Sequence, residues 1–131
     1  MKSMIKMSLA AALGLVAGAL GMQALHAQTS SVPAFLVANI ESISDAATFA
    51  QYRAETGKTR APFGGRVLVR DAPPVPVDAS SLPQGKIVIV QFPSMQALQD
   101  WWKSPAYTQV RPLREKSSVS RIFAVEGVPA P

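Results

Sequence analysis

Cysteine is absent from the chain, and histidine occurs once, as His26. Without a thiol there is no disulfide, no Cys–His nucleophile and no thiolate metal ligand. A lone imidazole builds neither a zinc nor a copper centre of the usual kind. Acids are also scarce, eight against thirteen Lys and Arg, for a formal net charge of +5. The basic residues are scattered rather than striped, so no nucleic-acid partner is expected. The longest uncharged apolar run, 7–22, falls short of a membrane span, which needs about 20 apolar residues.

That run has a different meaning. Lys2 and Lys6 precede it, a short polar patch with Gln23 and His26 follows, and small Ala27 stands before Gln28. A basic start, an apolar middle and a small exit residue describe a secretory signal peptide over 1–27. The contrasting reading is a retained membrane anchor. Cleavage after Ala27 takes away 27 of the 131 residues and leaves 104, without histidine. The loss of Lys2 and Lys6 leaves eleven bases against eight acids, about +3. The expected mature protein is periplasmic or secreted, with no stable membrane span, no His-ligated haem and no Ser–His catalysis. Without disulfides, it must rely on packing, which oligomerisation can assist.

The rest reads as one α+β domain at 33–127, after a polar lead at 28–32 and before a tail at 128–131. Apolar runs predict strands at 34–40, 66–70, 86–92 and 120–125. Ser44 or Asp45 caps a first helix. Ala46, Phe49, Tyr52, Arg53 and Thr56 form its face, and Gly57 is the expected terminator. Ser94 caps a second helix with Met95, Leu98 and Trp102 on one face and Trp101 beside them. Ser104 and Pro105 restart the helix, and Pro112 ends or kinks it. Four prolines make 71–85 a long loop. Strand–helix–strand–strand–helix–strand is the ferredoxin-like βαββαβ order, with helices on one face of the sheet.

Alternation then assigns the two faces. Leu36, Ala38, Ile40, Val67, Val69, Val88, Val90, Phe92, Ile122 and Ala124 face the helices. Phe35, Val37, Asn39, Arg66, Leu68, Arg70, Ile87, Ile89, Gln91, Arg121, Phe123 and Val125 fall on the open face. That second set is too apolar for water, which implies a homodimer or a ligand on it.

Several segments resemble the bacterial family known as domain of unknown function 1330. They are Pro33 to Ile40, Gly64 to Arg70, Gln91 to Met95, Trp101 to Tyr107 and Arg121 to Gly127. The resemblance spans nearly all of the mature chain, and Phe92 to Tyr107 is its most specific part. It implies a dimeric α/β-barrel, two ferredoxin-like sheets packed face to face. The wider superfamily includes small monooxygenases, muconolactone isomerases and chlorite dismutase. The family supplies no catalytic residues to transfer. Asp71-Ala72-Pro73-Pro74 stands where its members usually carry a Gly-rich turn and a short strand.

The candidate substrate-binding residues are Asn39, Arg66, Arg70, Gln91, Tyr107 and Arg121. Arg forks match carboxylates and phosphates, amides inside apolar strands orient a carbonyl, and a tyrosine transfers or directs a proton. Arg70 and Arg121 are expected to share an anion site, with the proline-rich loop as its lid. Each has a plainer reading, as edge charge, inter-strand hydrogen bond or packing. Tyr52 is weighed beside Tyr107, with the same plainer reading. Gly64-Gly65 is too short for a phosphate loop. The expectation is a cofactor-free, metal-free pocket on the sheet face of a homodimer, for a small organic molecule. Isomerase-like or monooxygenase-like chemistry comes by analogy alone. The alternative is a non-catalytic structural or interaction module with a protein-filled dimer core.

N-terminal sequencing of protein recovered from its own cells is expected to begin at or near Gln28. Intact Met1 in the membrane fraction would favour the anchor instead.

Overall fold

The computed structural model describes residues 32–78 and 80–131. The expected signal peptide, 1–27, lies outside the described residues, as does all of the lead except its last residue. The β-branched runs form four strands: β1 (Ala34–Ile43), β2 (Arg66–Ala72), β3 (Lys86–Phe92) and β4 (Ser118–Glu126). Between them lie α1 (Ala46–Arg60), α2 (Met95–Lys103) and α3 (Pro105–Ser117). The sheet order is β2-β3-β1-β4, with every neighbouring pair antiparallel. This is the expected ferredoxin-like α+β sheet, with β2 and β4 at its edges. No helix among the described residues is long and apolar enough to cross a membrane.

Short polar side chains start the helices by accepting orphan amide hydrogens. Asp45 accepts from the Thr48 amide at 3.1 Å and from its hydroxyl at 2.6 Å. The Thr48 hydrogen bonds hold the Asp45 carboxyl below the usual carboxylate range. Ser94 accepts from Ala97 N at 3.1 Å and Ser104 from Tyr107 N at 3.3 Å, with Pro105 opening α3.

Four expectations need correction. α1 runs through Gly57 to Arg60, and a 3-10 turn (Ala61–Phe63) follows. Gly64 makes the stop, because it takes the left-handed conformation at φ 75° and donates to Ala61 O at 3.1 Å. Of the two readings of Pro112, ending the helix falls, because it lies inside α3; packing of α3 on α1 outweighs the one backbone hydrogen bond that proline removes. Trp101, not Trp102, is the buried tryptophan of α2, at 1% exposure. Its indole N–H donates to Thr59 Oγ1 at 2.9 Å, so the ring enters the core without an unpaired donor. Finally, β1 and β4 reach Ile43 and Ser118, past the expected 40 and 120, because they pair across a register shift between Ile40 and Ser42.

The core lies between sheet and helices, where Leu36, Val90 and Phe92 meet Leu98, Trp101 and Tyr107. The ring centroids of Trp101 and Tyr107 are 4.1 Å apart, and those of Phe92 and Trp101 are 5.4 Å apart. Each such side chain contributes about 1.5–3 kcal/mol by leaving water.

β2 departs from simple alternation. Arg66 opposes Gln91 and Val67 opposes Val90, but Val69 opposes Ile89, so Leu68 is one residue too many. A second extra residue follows before Ala72 opposes Ile87. Asp71 lies in that second interval with φ 51°, in the left-handed region that Asp tolerates better than most residues. These bulges turn Val69 to the side of Ile89, on the open face, and send Arg70 to the helix side. Both residues had been assigned to the opposite faces, because alternation carries no sign of an inserted residue.

Candidate functional site

α1 packs chiefly on α3 and touches the sheet sparsely, which leaves a cleft between helix and sheet. The cleft holds about 630 Å³ between its walls, its open mouth included, and about 60 Å³ of this admits the centre of a water molecule. Its floor is apolar and comes from the sheet: Leu36, Ala38, Val67, Val88, Val90 and Ile122. Its polar wall carries Tyr52, Thr56 and Arg60 from α1, Arg70 and Asp71 from β2, and Arg114 from α3.

Tyr52 and Tyr107 meet across α1 and α3, with their hydroxyl oxygens 3.2 Å apart. Tyr107 has no exposed surface. Burial pushes its phenol above the ordinary 10.0, and the neighbouring Tyr52 adds to the push. The positive charge of Arg114 pulls the other way. Either hydroxyl can donate in this pair, and Tyr52 is the member that lines the cleft.

Arg53 clamps Asp71 with two contacts, at 2.7 and 2.9 Å, beside the start of the proline-rich loop. Arg60 is half-buried. Burial pushes its guanidinium below the ordinary value, and the like charge of Arg70 adds to this while Tyr52 opposes it. Arg60 still carries its charge at neutral pH. Thr56 is buried, and its hydroxyl has no hydrogen-bond partner among the described residues.

The six sequence candidates divide between the two faces. Arg70 lines the helix-side cleft, and Tyr107 stands behind its wall. The other four lie on the open face and are held by protein groups. Arg66 donates to Gln91 Oε1 at 2.9 Å, Asn39 donates to Gln84 O at 2.7 Å, and Arg121 pairs with Glu41 at 2.5 Å. Asn39 and Arg121 line a separate, wider hollow with Leu82, Pro83 and Gln84 of the loop, in which about 710 Å³ admits the centre of a water molecule. Arg70 and Arg121 therefore do not share a site, and the loop's end lies over the open face rather than over Arg70. Gly85 fixes that end: at φ 78°, a Cβ there would stand 1.9 Å from Ile40 O.

Sequence reasoning missed Arg60, Thr56 and Arg114 as site residues. The signal for two of them was present. Phe49, Tyr52, Thr56 and Arg60 continue one helical stripe at steps of three and four, which the supposed stop at Gly57 cut short. Among the described residues no group of three or more His, Cys, Asp or Glu side chains is placed to hold a metal ion.

The fold and the placement of the cleft define a ferredoxin-like α+β protein with a helix-side pocket. Residues 33–128 match the family described as domain of unknown function (DUF1330), and the chain belongs to that family. Among solved structures, the RPA0582 protein from Rhodopseudomonas palustris has a TM-score of 0.59 at 16% identity, over 82% of this chain and 91% of that one. Its methylated form gives 0.60 at 15% identity, over 82% and 89%. SnoaB, a cofactor-independent oxygenase from Streptomyces nogalater, gives 0.48 at 13% identity, over 72% and 92%. These are likenesses of fold. No curated protein matches the chain.

Tyr107 generates a test. Its folded-state pKa is raised, so above pH 10.0 the unfolded chain loses this proton while the folded chain keeps it. Stability from this group is complete below that pH and falls as pH rises further. Tyr107→Phe is expected to cost about 1 kcal/mol at neutral pH and to flatten the alkaline decline. Urea unfolding of both proteins from neutral to alkaline pH measures this, and parallel declines would contradict it.

Proposed function

We propose that the protein is an exported homodimer that binds, and by extension transforms, a small organic molecule in the cleft between α1 and the sheet. One observation carries the reading: an apolar floor faces a tyrosine hydroxyl bonded to a second tyrosine, an orphaned threonine hydroxyl and two arginines without an ion pair among the described residues, within one concavity. The polar groups orient a ligand that the floor desolvates. A donor hydrogen from Tyr52, backed by Tyr107, suits a ligand carbonyl, enolate or phenolate oxygen. Proton transfer at a carbon beside that oxygen is the chemistry such an arrangement serves. Export rests on the tripartite pattern of 1–27.

The homodimer reading rests on the open face. Leu68, Phe123 and Val125 are 46%, 53% and 46% exposed there, beside Val37, Ile87 and Ile89. An apolar sheet face of this extent is covered most simply by its own copy about a two-fold axis. The non-catalytic module remains the contrasting reading, and a cleft that takes up no ligand would favour it.

Phe123→Asp places a charge at the proposed interface and is expected to shift sedimentation from dimer to monomer. A wild-type chain already monomeric at micromolar concentration would refute the dimer. For the cleft, Val88→Phe fills the floor without touching the open face. It should abolish thermal stabilisation by whichever small carbonyl compounds, phenols and acids stabilise the wild type. Full retention of those shifts would place binding elsewhere.

A further inference from the structure

The charges around the cleft do not balance. Four arginines line it, Arg53, Arg60, Arg70 and Arg114, against one acid, Asp71. Asp71 is committed to Arg53 through both carboxylate oxygens. Arg114 reaches Glu115 only at 3.9 Å, donates to Ser120 Oγ at 2.9 Å, and keeps a buried Nε without a partner. Arg60 and Arg70 form no ion pair among the described residues.

Arg60, half-buried beside the like charge of the exposed Arg70, is unfavourably placed, because its partly desolvated charge lacks a counter-charge. An anion entering the cleft relieves that cost and gains two forked donors. The floor narrows the choice. Six aliphatic side chains cannot replace the water around a phosphate dianion, but they suit the body of a singly charged organic acid. The confined space, about 60 Å³ for water centres, limits that body to about one ring or a short chain.

Building on the cleft assigned above, we propose that its ligand is a small organic acid whose carboxylate lies between Arg60 and Arg70 and whose apolar body covers Leu36, Val88 and Val90. The Tyr52 hydroxyl donates to the same carboxylate or to an oxygen beside it. Thr56 offers its unpaired hydroxyl from the same wall. Arg53 stays with Asp71 and holds the bulged end of β2, and with it Arg70, in place.

Benzoate and benzamide differ in charge but hardly in shape, so calorimetric titration of the pair reads the charge alone. Wild-type protein is expected to bind benzoate roughly tenfold or more tightly than benzamide. Arg60→Gln and Arg70→Gln should each remove most of that preference, by weakening benzoate binding far more than benzamide binding. Arg70 is exposed on an edge strand, so its variant folds even if the Arg60 variant does not. Equal binding of the two probes overturns the proposal. So does a preference that survives Arg70→Gln, tighter binding of inorganic phosphate than of benzoate, or no benzoate binding at millimolar concentration. Val88→Phe separates the two levels of the account. If both probes bind equally and Val88→Phe removes both, the cleft stands and the acid reading falls. If the benzoate preference survives Val88→Phe, both fall.

Discussion

Tyr107 is the contact on which the arrangement of helices depends. Its amide is capped by Ser104, which sets where α3 begins. Its ring packs on Trp101 and Trp102, with centroids 4.1 and 5.1 Å away, which joins α3 to α2 and the core. Arg111 stacks over Trp102 at 4.5 Å and over Tyr107 itself at 5.2 Å. The hydroxyl then reaches Tyr52 and ties α3 to α1. Because α1 is held by its neighbour helix rather than by the sheet, a cleft opens beneath it. One buried side chain therefore sets the helix layer and holds the Tyr52 hydroxyl at the wall of the space below.

The second constraint lies at the sheet edge. Two extra residues in β2 break its register with β3 and rotate Arg70 beneath α1. The left-handed backbone of Asp71 costs of order 1 kcal/mol. Its paired contacts with Arg53 help to offset that cost and fasten the bulge to α1. The same edge strand keeps Arg66 on the opposite face, bonded to Gln91. Bulges at sheet edges commonly re-aim side chains in this way.

Much of the fold was legible in the sequence. The β-branched runs give the strands, Asp45, Ser94 and Ser104 announce the helix starts, and the element order gives the sheet topology. The failures have physical causes. Trp101 and Trp102 stand about 100° apart on a helix, so periodicity alone cannot choose the buried one. Gly57 adopts ordinary helical geometry, and nothing local distinguishes it from a terminator like Gly64. A bulge leaves composition and hydrophobic pattern almost unchanged while reversing every later side chain. The candidate site suffered most from this last effect. Tyr107 and Arg70 were named, but on the open face Arg70 had been given the wrong companion in Arg121.

Two hollows on opposite sides of the sheet differ in their arginines: among the described residues, Arg121 of the open-face hollow pairs with Glu41, whereas Arg60 and Arg70 of the helix-side cleft have no ion pair. Asn39, Arg66, Gln91 and Arg121 are engaged on the open face, whereas Arg60, Arg70 and Thr56 are free on the helix side. Intermolecular nuclear Overhauser effects between benzoate ring protons and methyl-labelled protein test that distinction most directly. The account predicts contacts to the methyls of Leu36, Val67, Val88 and Ile122. Contacts confined to Val37 and Ile87, on the opposite face, would contradict it.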